Sequence, residues 1–161
     1  IVGTTDYAFL ALDASAILVN APIRSLDAAD LYALEESDGG IVVNADGTET
    51  ITYHLRPEAK WADGTPISGA DLAFTYETLM SGSYTSVYDQ ILPESIVAGA
   101  KTFEFTLASP TIQAEYLFGT ILPEHVLRDV QPTELVGHRF TRLEPIGCGP
   151  YRLPPDGLRY R

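Results

Sequence analysis

Alternating apolar and polar residues predict a β-hairpin over residues 39–56. β-Branched runs stand on both sides of residues 44–47, whose Asp46-Gly47 pair accepts the positive φ that tight hairpin turns require. In the second half of the stretch every other side chain is apolar, so one face of that strand should be buried. The predicted buried set is Ile51, Tyr53 and Leu55, with Thr52, His54 and Arg56 on the solvent side.

A second hairpin is predicted over residues 94–108, with its turn at 99–101. The same period of two separates an apolar face from a polar face along its second strand. The apolar face holds Phe103, Phe105 and Leu107, and the polar face holds Thr102, Glu104 and Thr106.

Residues 67–80, between the hairpins, are predicted to form a helix. Ser68 followed three residues later by Asp71 is a capping-box pattern, and the carboxylate also suits the positive end of the helix dipole. Gly82 is expected to end the helix. The apolar stripe of this helix is supplied by Leu72, Phe74, Tyr76 and Leu79.

The remaining segments carry weaker patterns. Residues 25–37 favour a helix capped by Ser25, whereas residues 13–22 fit a short helix or a buried strand equally well. Short helices are expected after Pro110 and from Pro123, and residues 144–153 read as a loop entering a strand. The pattern as a whole is α+β with antiparallel hairpins and short helices, and it lacks a βαβ alternation.

Charge narrows the range of partners. The 161 residues contain 22 Asp and Glu against 10 Lys and Arg, for a net charge of −12. Nucleic acids and anionic membrane surfaces both select basic patches, so neither is an expected partner. The sequence has no run of about 18 apolar residues that would span a bilayer.

The sequence does not predict a catalytic constellation, a metal site or a cofactor. The three histidines have no partner at metal-binding spacing, and a serine nucleophile elbow is missing. Glu124 and His125 are neighbours on a helix, where adjacent side chains point apart, so a surface position is expected. Cys148 lacks a nearby base in the sequence and is interpreted as a small buried or loop residue.

Tyrosines around the loop at residues 81–90 are the strongest candidates for ligand contact. Tyr84 and Tyr88 offer flat apolar faces with a hydroxyl group, which suits an adaptable binding surface. Packing of the helix against its neighbours is the alternative interpretation of these side chains.

Two ordered motifs resemble the family 5 extracellular solute-binding proteins, the dipeptide-, oligopeptide- and nickel-binding components of ABC importers. The first is YHLRPEAKWADGTPISGADLAFTYETL at 53–79, and the second is PIGCGPYRL at 145–153, where Cys148 replaces the usual Thr of the family. The positions that match the first motif are Leu55, Arg56, Trp61, Asp63, Gly64, Thr65, Pro66, Asp71 and Leu72. Those that match the second are Gly147, Gly149, Pro150 and Tyr151.

The resemblance implies a fragment of a type II periplasmic-binding-protein lobe. Residues 1–38 would begin the first lobe, 39–135 would form its inserted accessory subdomain, and 136–161 would return into the lobe before the second lobe begins. The matched residues would be structural, and Tyr84 or Tyr88 would approach the ligand.

The implied function is capture of a peptide or similar small solute outside the cytoplasmic membrane and its delivery to ABC permease subunits. Membrane contact would come only from a lipid anchor outside these residues, as in a lipoprotein. Two other functions are weighed against transport. The chain could be the ligand-sensing domain of an intracellular transcriptional regulator, or it could be a hydrolase, which the missing catalytic constellation disfavours.

Overall fold

The computed structural model describes residues 32–33, 40–81, 87–111, 117–118, 120–142 and 144–148. The strands are β1 (Tyr32–Ala33), β2 (Ile41–Val43), β3 (Glu49–Leu55), β4 (Val97–Ala98) and β5 (Thr102–Leu107). The helices are α1 (Gly69–Met80), α2 (Glu124–Leu127) and α3 (Arg139–Arg142), with 3₁₀ turns at Val87–Gln90, Pro93–Ser95 and Pro132–Gly137.

Both predicted hairpins are confirmed. β2 pairs antiparallel with β3, and the backbone turns at Gly47, which has a φ of 88°. β4 pairs antiparallel with β5 across the turn at residues 99–101, where the Gly99 amide donates to the Thr102 carbonyl at 2.8 Å. β3 and β5 pair with each other from Glu49 opposite Leu107 to His54 opposite Thr102, so the second strands of the two hairpins form the centre of one sheet.

The helix predicted over residues 25–37 is wrong at Tyr32 and Ala33. These two residues form β1, an antiparallel partner of β3 opposite Leu55 and His54. The backbone groups of β3 at this end need partners, and pairing within a sheet overrides a weak local preference for helix. The rest of the 25–37 stretch, and all of 13–22, lies outside the described residues.

The first core lies between one face of the sheet and α1. It contains the alternate residues predicted from both hairpins together with a cluster of aromatic rings in edge-on contacts, a geometry that ring quadrupoles favour. The fully buried members with the largest side chains include Tyr53, Phe103, Phe105 and Phe118. His54 lies on the opposite face as predicted, where it is half-buried with its Nε2 covered.

The second core is smaller and follows α1 in the chain. It comprises Leu122, Leu127, Leu135 and Phe140, which come from α2, α3 and the turns around them. Phe74 of α1 packs against it, so α1 contributes to both cores. The helix predicted from Pro123 is confirmed, but it spans only four residues. Most of the helix expected after Pro110 falls on residues that the structure does not describe, and its described end, Leu117 and Phe118, forms a turn. The strand expected after residue 148 also lies outside the described residues.

Candidate functional site

The corner, defined as residues 61–66, is a closed turn that connects β3 to α1. The Trp61 amide donates to the Thr65 carbonyl at 2.8 Å, and the Gly64 amide donates back to the Trp61 carbonyl at 2.9 Å. Gly64 has a φ of 98°, a region that side chains with a Cβ rarely adopt. Asp63 Oδ1 accepts the Thr65 amide at 2.9 Å, which is the side-chain contact that Asp provides in turns. These contacts close the turn over residues 61–65.

The Asp71 carboxylate connects the corner to α1 and α2. Its Oδ2 accepts the Ser68 amide at 2.9 Å, which closes the predicted capping box of α1. Its Oδ1 accepts the Trp61 indole N–H at 3.2 Å and the Glu124 amide at 3.0 Å. Asp71 is only 3% exposed, so these donors replace the water that a buried carboxylate would otherwise need.

A second link joins the corner to α2 at the surface. His125 Nε2 lies 2.8 Å from Asp63 Oδ2, and its ring centroid lies 6.3 Å from that of Trp61. Burial alone would raise the pKa of the Asp63 carboxyl, but hydrogen bonds from Thr65 and His125 outweigh it and lower the pKa below its ordinary value. Glu124 instead pairs with Arg128 at 2.8 Å, so the prediction that Glu124 and His125 point apart is confirmed.

Backbone on either side of the corner is held by Lys101. Its ammonium group donates to the Ala59 carbonyl at 3.1 Å and to the Ile67 carbonyl at 2.8 Å. Leu55, the strand residue before Arg56, is buried in the first core, whereas Arg56 is exposed and its carbonyl accepts the Ala59 amide. The sequence did not single out Lys101, because its two acceptors lie more than 30 residues away in the chain.

The second motif meets the first through its backbone. The Ala62 amide donates to the Gly147 carbonyl at 2.8 Å, and Gly147 is buried. Cys148 packs against the first core, and this burial raises the pKa of its thiol to about 11. A thiol with that pKa stays protonated at neutral pH and is a poor nucleophile. Gly149, Pro150 and Tyr151 lie outside the described residues.

Tyr88 lies at the edge of the first core. Its hydroxyl donates to the Leu117 carbonyl, and its ring meets Phe118 edge-on with centroids 5.3 Å apart. Burial raises the pKa of the Tyr88 hydroxyl to about 12. These contacts agree with the packing interpretation of Tyr88, whereas Tyr84 lies outside the described residues. Ligand contact by Tyr84 and Tyr88 stays a prediction.

The third histidine, His138, also has a structural partner. His138 Nδ1 accepts the Phe140 amide at 3.2 Å. Among the described residues no three His, Cys, Asp or Glu side chains are grouped to hold a metal ion. The described helices include none with the length and apolar character needed to cross a membrane.

Sequence reasoning also missed Thr75, which links α1 to the second core. Its hydroxyl donates to the Asp71 carbonyl at 2.6 Å and accepts the Leu122 amide at 2.8 Å. Thr75 is fully buried, and Leu122 is 47 residues further along the chain. A threonine in the middle of a helix pattern carries no local signal for such a contact.

Comparison with known proteins agrees with the motifs. Residues 33–154 match the family described as bacterial extracellular solute-binding proteins, family 5 Middle. A probable monoacyl phosphatidylinositol tetramannoside-binding protein, LpqW, of Mycobacterium tuberculosis is 30% identical over 125 residues, covering 73% of this chain and 19% of the relative. A putative ABC transporter peptide-binding protein of Brucella ovis is 31% identical over 110 residues, covering 65% of this chain and 20% of the relative. The chain therefore spans about a fifth of the length of these curated relatives.

The fold is also shared with solved structures. Lactococcal OppA, complexed with an endogenous peptide in the closed conformation, superposes with a TM-score of 0.59 at 23% sequence identity. The superposition covers 74% of this chain and 26% of OppA. The predicted α+β fold, part of a type II periplasmic-binding-protein lobe, is confirmed by this similarity.

Proposed function

Because the chain belongs to the bacterial extracellular solute-binding proteins of family 5, we propose that the full-length protein is the substrate-binding component of an ABC importer. It captures a peptide or a similar small solute outside the cytoplasmic membrane and delivers it to permease subunits. The resemblance predicts an extracellular location, and the matched family consists of extracellular proteins. The observation that carries the proposal is the family match over residues 33–154, which includes both motifs.

The geometry of the corner supports a role in architecture. Trp61, Asp63 and Asp71 are engaged with backbone or side-chain partners, and these contacts join the corner to α1 and α2. The backbone contact of Ala62 adds the second motif to the same junction. Such a junction fixes the relative positions of four segments, which a rigid lobe requires if it is to close on a solute.

We also propose that the protein binds its solute without altering it. A hydrolase would need a nucleophile or an acid–base pair that is free to reach substrate. The Asp71 carboxylate accepts donors from three residues, and the half-buried Cys148 thiol is protonated at neutral pH. The extracellular family likewise disfavours the intracellular regulator.

Peptides are the solute class that we propose first. The Brucella ovis relative is named as peptide-binding, whereas the Mycobacterium tuberculosis relative is named for a glycosylated phosphatidylinositol. Both names belong to proteins of which the matched region is only about a fifth, so the choice between the two ligands is open to direct test. Tyr84 and Tyr88 remain the proposed ligand contacts within the chain.

Ligand retained by the full-length protein gives the decisive test. We expect native mass spectrometry of the purified protein to show a non-covalent ligand that is released intact on denaturation, and calorimetry to give micromolar or tighter binding of a peptide pool. The same binding measurement with a glycolipid distinguishes the two ligand classes. Cleaved peptide products would contradict the binding function, and failure to bind either class would contradict transport of these solutes.

The 161-residue chain serves as the control in the same experiment. It covers about a fifth of the length of its curated relatives, and we infer that the full-length protein holds its ligand between this lobe and a second one. We therefore expect the isolated chain to bind the peptide pool far more weakly than the full-length protein. Micromolar affinity in the isolated chain would show that the described lobe carries the whole site.

A further inference from the structure

The sequence Ala-Asp-Gly-Thr occurs twice in the chain, and both copies fold into the same turn. One copy, residues 45–48, lies at the tip of the β2–β3 hairpin, and the other, residues 62–65, lies in the corner. In each turn the residue before Ala donates its amide to the Thr carbonyl at 2.8 Å. The Gly amide donates back to the carbonyl of that residue, at 3.0 Å in the hairpin and 2.9 Å in the corner.

The side chains and glycines of the two turns match as well. The Asp Oδ1 accepts the Thr amide at 3.0 Å in the hairpin and at 2.9 Å in the corner. Gly47 and Gly64 both have positive φ, at 88° and 98°. The two Asp-Gly pairs therefore have the same neighbours in sequence and nearly the same local geometry.

The surroundings of the two turns differ. In the corner, the Ala62 amide donates to the Gly147 carbonyl, and Asp63 Oδ2 lies 2.8 Å from His125 Nε2, so distant segments hold the turn closed. At the hairpin tip, Asp46 is exposed and its described hydrogen bonds come from Thr48, through the amide and, at 2.7 Å, through the hydroxyl. The hairpin turn is thus held mainly by its own residues.

An Asp-Gly pair is chemically reactive when its turn opens. The glycine nitrogen attacks the aspartate Cγ, and glycine hinders this attack least because it lacks a Cβ. A nitrogen–Cγ bond forms, and one carboxyl oxygen leaves as water with the amide proton and a proton from solvent. Water then opens the cyclic imide at either carbonyl, which restores aspartate or leaves an isoaspartyl linkage with the main chain running through Cβ. Water is the only co-reactant.

We propose that Asp46 is a site of spontaneous covalent modification, where the exposed hairpin turn converts to an isoaspartyl linkage while the same turn at Asp63 is protected by the segments packed around it. The reaction requires the carboxylate and the glycine amide to leave their turn hydrogen bonds. Exposed loop tips open more often than turns that are held by distant segments. The difference in reactivity between the two copies therefore comes from the fold.

The consequence of the modification is local to the hairpin. An isoaspartyl linkage adds a methylene group to the main chain and displaces the carboxylate that Thr48 holds. β2 pairs with β3 through three residues only, so this pairing should loosen, whereas the pairing of β3 with β5 does not depend on the turn. The inference needs no particular ligand and stands apart from the importer proposal.

Peptide mapping of the full-length protein after prolonged incubation in neutral buffer tests the proposal. Trypsin cuts after Lys60 and so places the two sites in different peptides, and electron-transfer fragmentation locates the isoaspartyl linkage. Localisation is needed because two more Asp-Gly pairs, at 38–39 and 156–157, lie outside the described residues. We expect isoaspartate to form about fivefold faster at Asp46 than at Asp63, the change in open population that one hydrogen bond typically produces.

Variants of the hairpin separate the causes. Thr48→Val removes the hydroxyl bond to Asp46 and should raise the rate there about threefold, with the rate at Asp63 unchanged. Thr48→Ser retains the hydroxyl and should resemble the wild-type protein. Asp46→Ser suits the turn but carries no carboxyl group, so modification at this position should disappear. In guanidinium chloride the two sites should react at similar rates, because their neighbouring residues are identical.

Four outcomes would overturn the proposal. The first two are a lack of isoaspartate at Asp46 in the folded protein and equal rates at Asp46 and Asp63. The third is an unchanged rate at Asp46 in Thr48→Val. The fourth is a difference between the sites that persists in guanidinium chloride, because that would assign it to local sequence and not to the fold. The folding of each variant is checked by its urea unfolding midpoint.

Discussion

The two cores of this lobe are built in different ways, although α1 contributes to both. The first core rests on a sheet in which β3 and β5 pair along their lengths, so backbone hydrogen bonds and alternating side chains reinforce each other. The second core rests on four-residue helices and a 3₁₀ turn, none long enough to be stable alone. Its attachment includes single buried hydrogen bonds to Asp71 and Thr75, beside the packing of Phe74 and the surface contact of His125 with Asp63.

This difference indicates which kind of contact stabilises each core. A regular sheet spreads its stability over many equivalent contacts, and the loss of one contact leaves the register intact. A core of short helices is attached through a few buried donors and acceptors, so the loss of one of these contacts destabilises the whole segment. The first core should therefore respond to loss of volume, and the second core to loss of a hydrogen bond.

Removal of an aromatic ring from the first core should have the largest effect. Phe105 is fully buried and packs against the rings of Tyr53 and Phe118, with centroids 5.5 and 5.6 Å away. Phe105→Ala should lower the free energy of unfolding by about 3–5 kcal/mol, measured by urea denaturation of the full-length protein. Val97→Ala, at a site 59% exposed, is the control and should cost under about 0.5 kcal/mol. If the two variants lost similar amounts of unfolding free energy, loss of packed volume would not be what destabilises the first core.

The contact of α1 with the β4–β5 turn should give the next largest effect. A Cβ on Gly69 would lie 2.3 Å from the Thr102 carbonyl oxygen and 2.8 Å from that of Gly99, so Gly69→Ala forces backbone atoms apart. We expect a loss of about 2–3 kcal/mol in the urea experiment, despite the better helix propensity of Ala. Gly137→Ala, where a Cβ meets nothing within 4 Å, should be near neutral. A neutral Gly69→Ala would mean that the helix can shift freely on the sheet.

Loss of the Thr75 hydroxyl should weaken the attachment of the second core to α1. Thr75→Val preserves shape but removes the acceptor of the Leu122 amide, and a buried donor without a partner costs about 1–2 kcal/mol. Hydrogen exchange should show this loss in residues 121–142 while β5 keeps its protection. Thr75→Ser retains the hydroxyl and should behave more like the wild-type protein. Equal loosening of both cores in Thr75→Val would remove the distinction between them.

Local patterns were sufficient for most of the regular elements. A period of two predicted both hairpins, because neighbouring side chains on a strand point to opposite faces whatever the strand pairs with. The capping box at Ser68 and Asp71 and the Asp63-Gly64 turn were predictable for the same reason, since each is closed by groups a few residues apart. The family resemblance rested on these motifs and was confirmed.

Contacts between distant parts of the chain were decided only by the tertiary structure. β1 replaced a predicted helix because β3 had an edge to pair, and Lys101 and Thr75 acquired their roles from acceptors and donors far away in the chain. By itself the sequence determined which faces are apolar and where the chain turns, since adjacent residues control both. The tertiary structure decided that one carboxylate, Asp71, would join the corner to two helices, because that junction exists only when segments more than 50 residues apart meet.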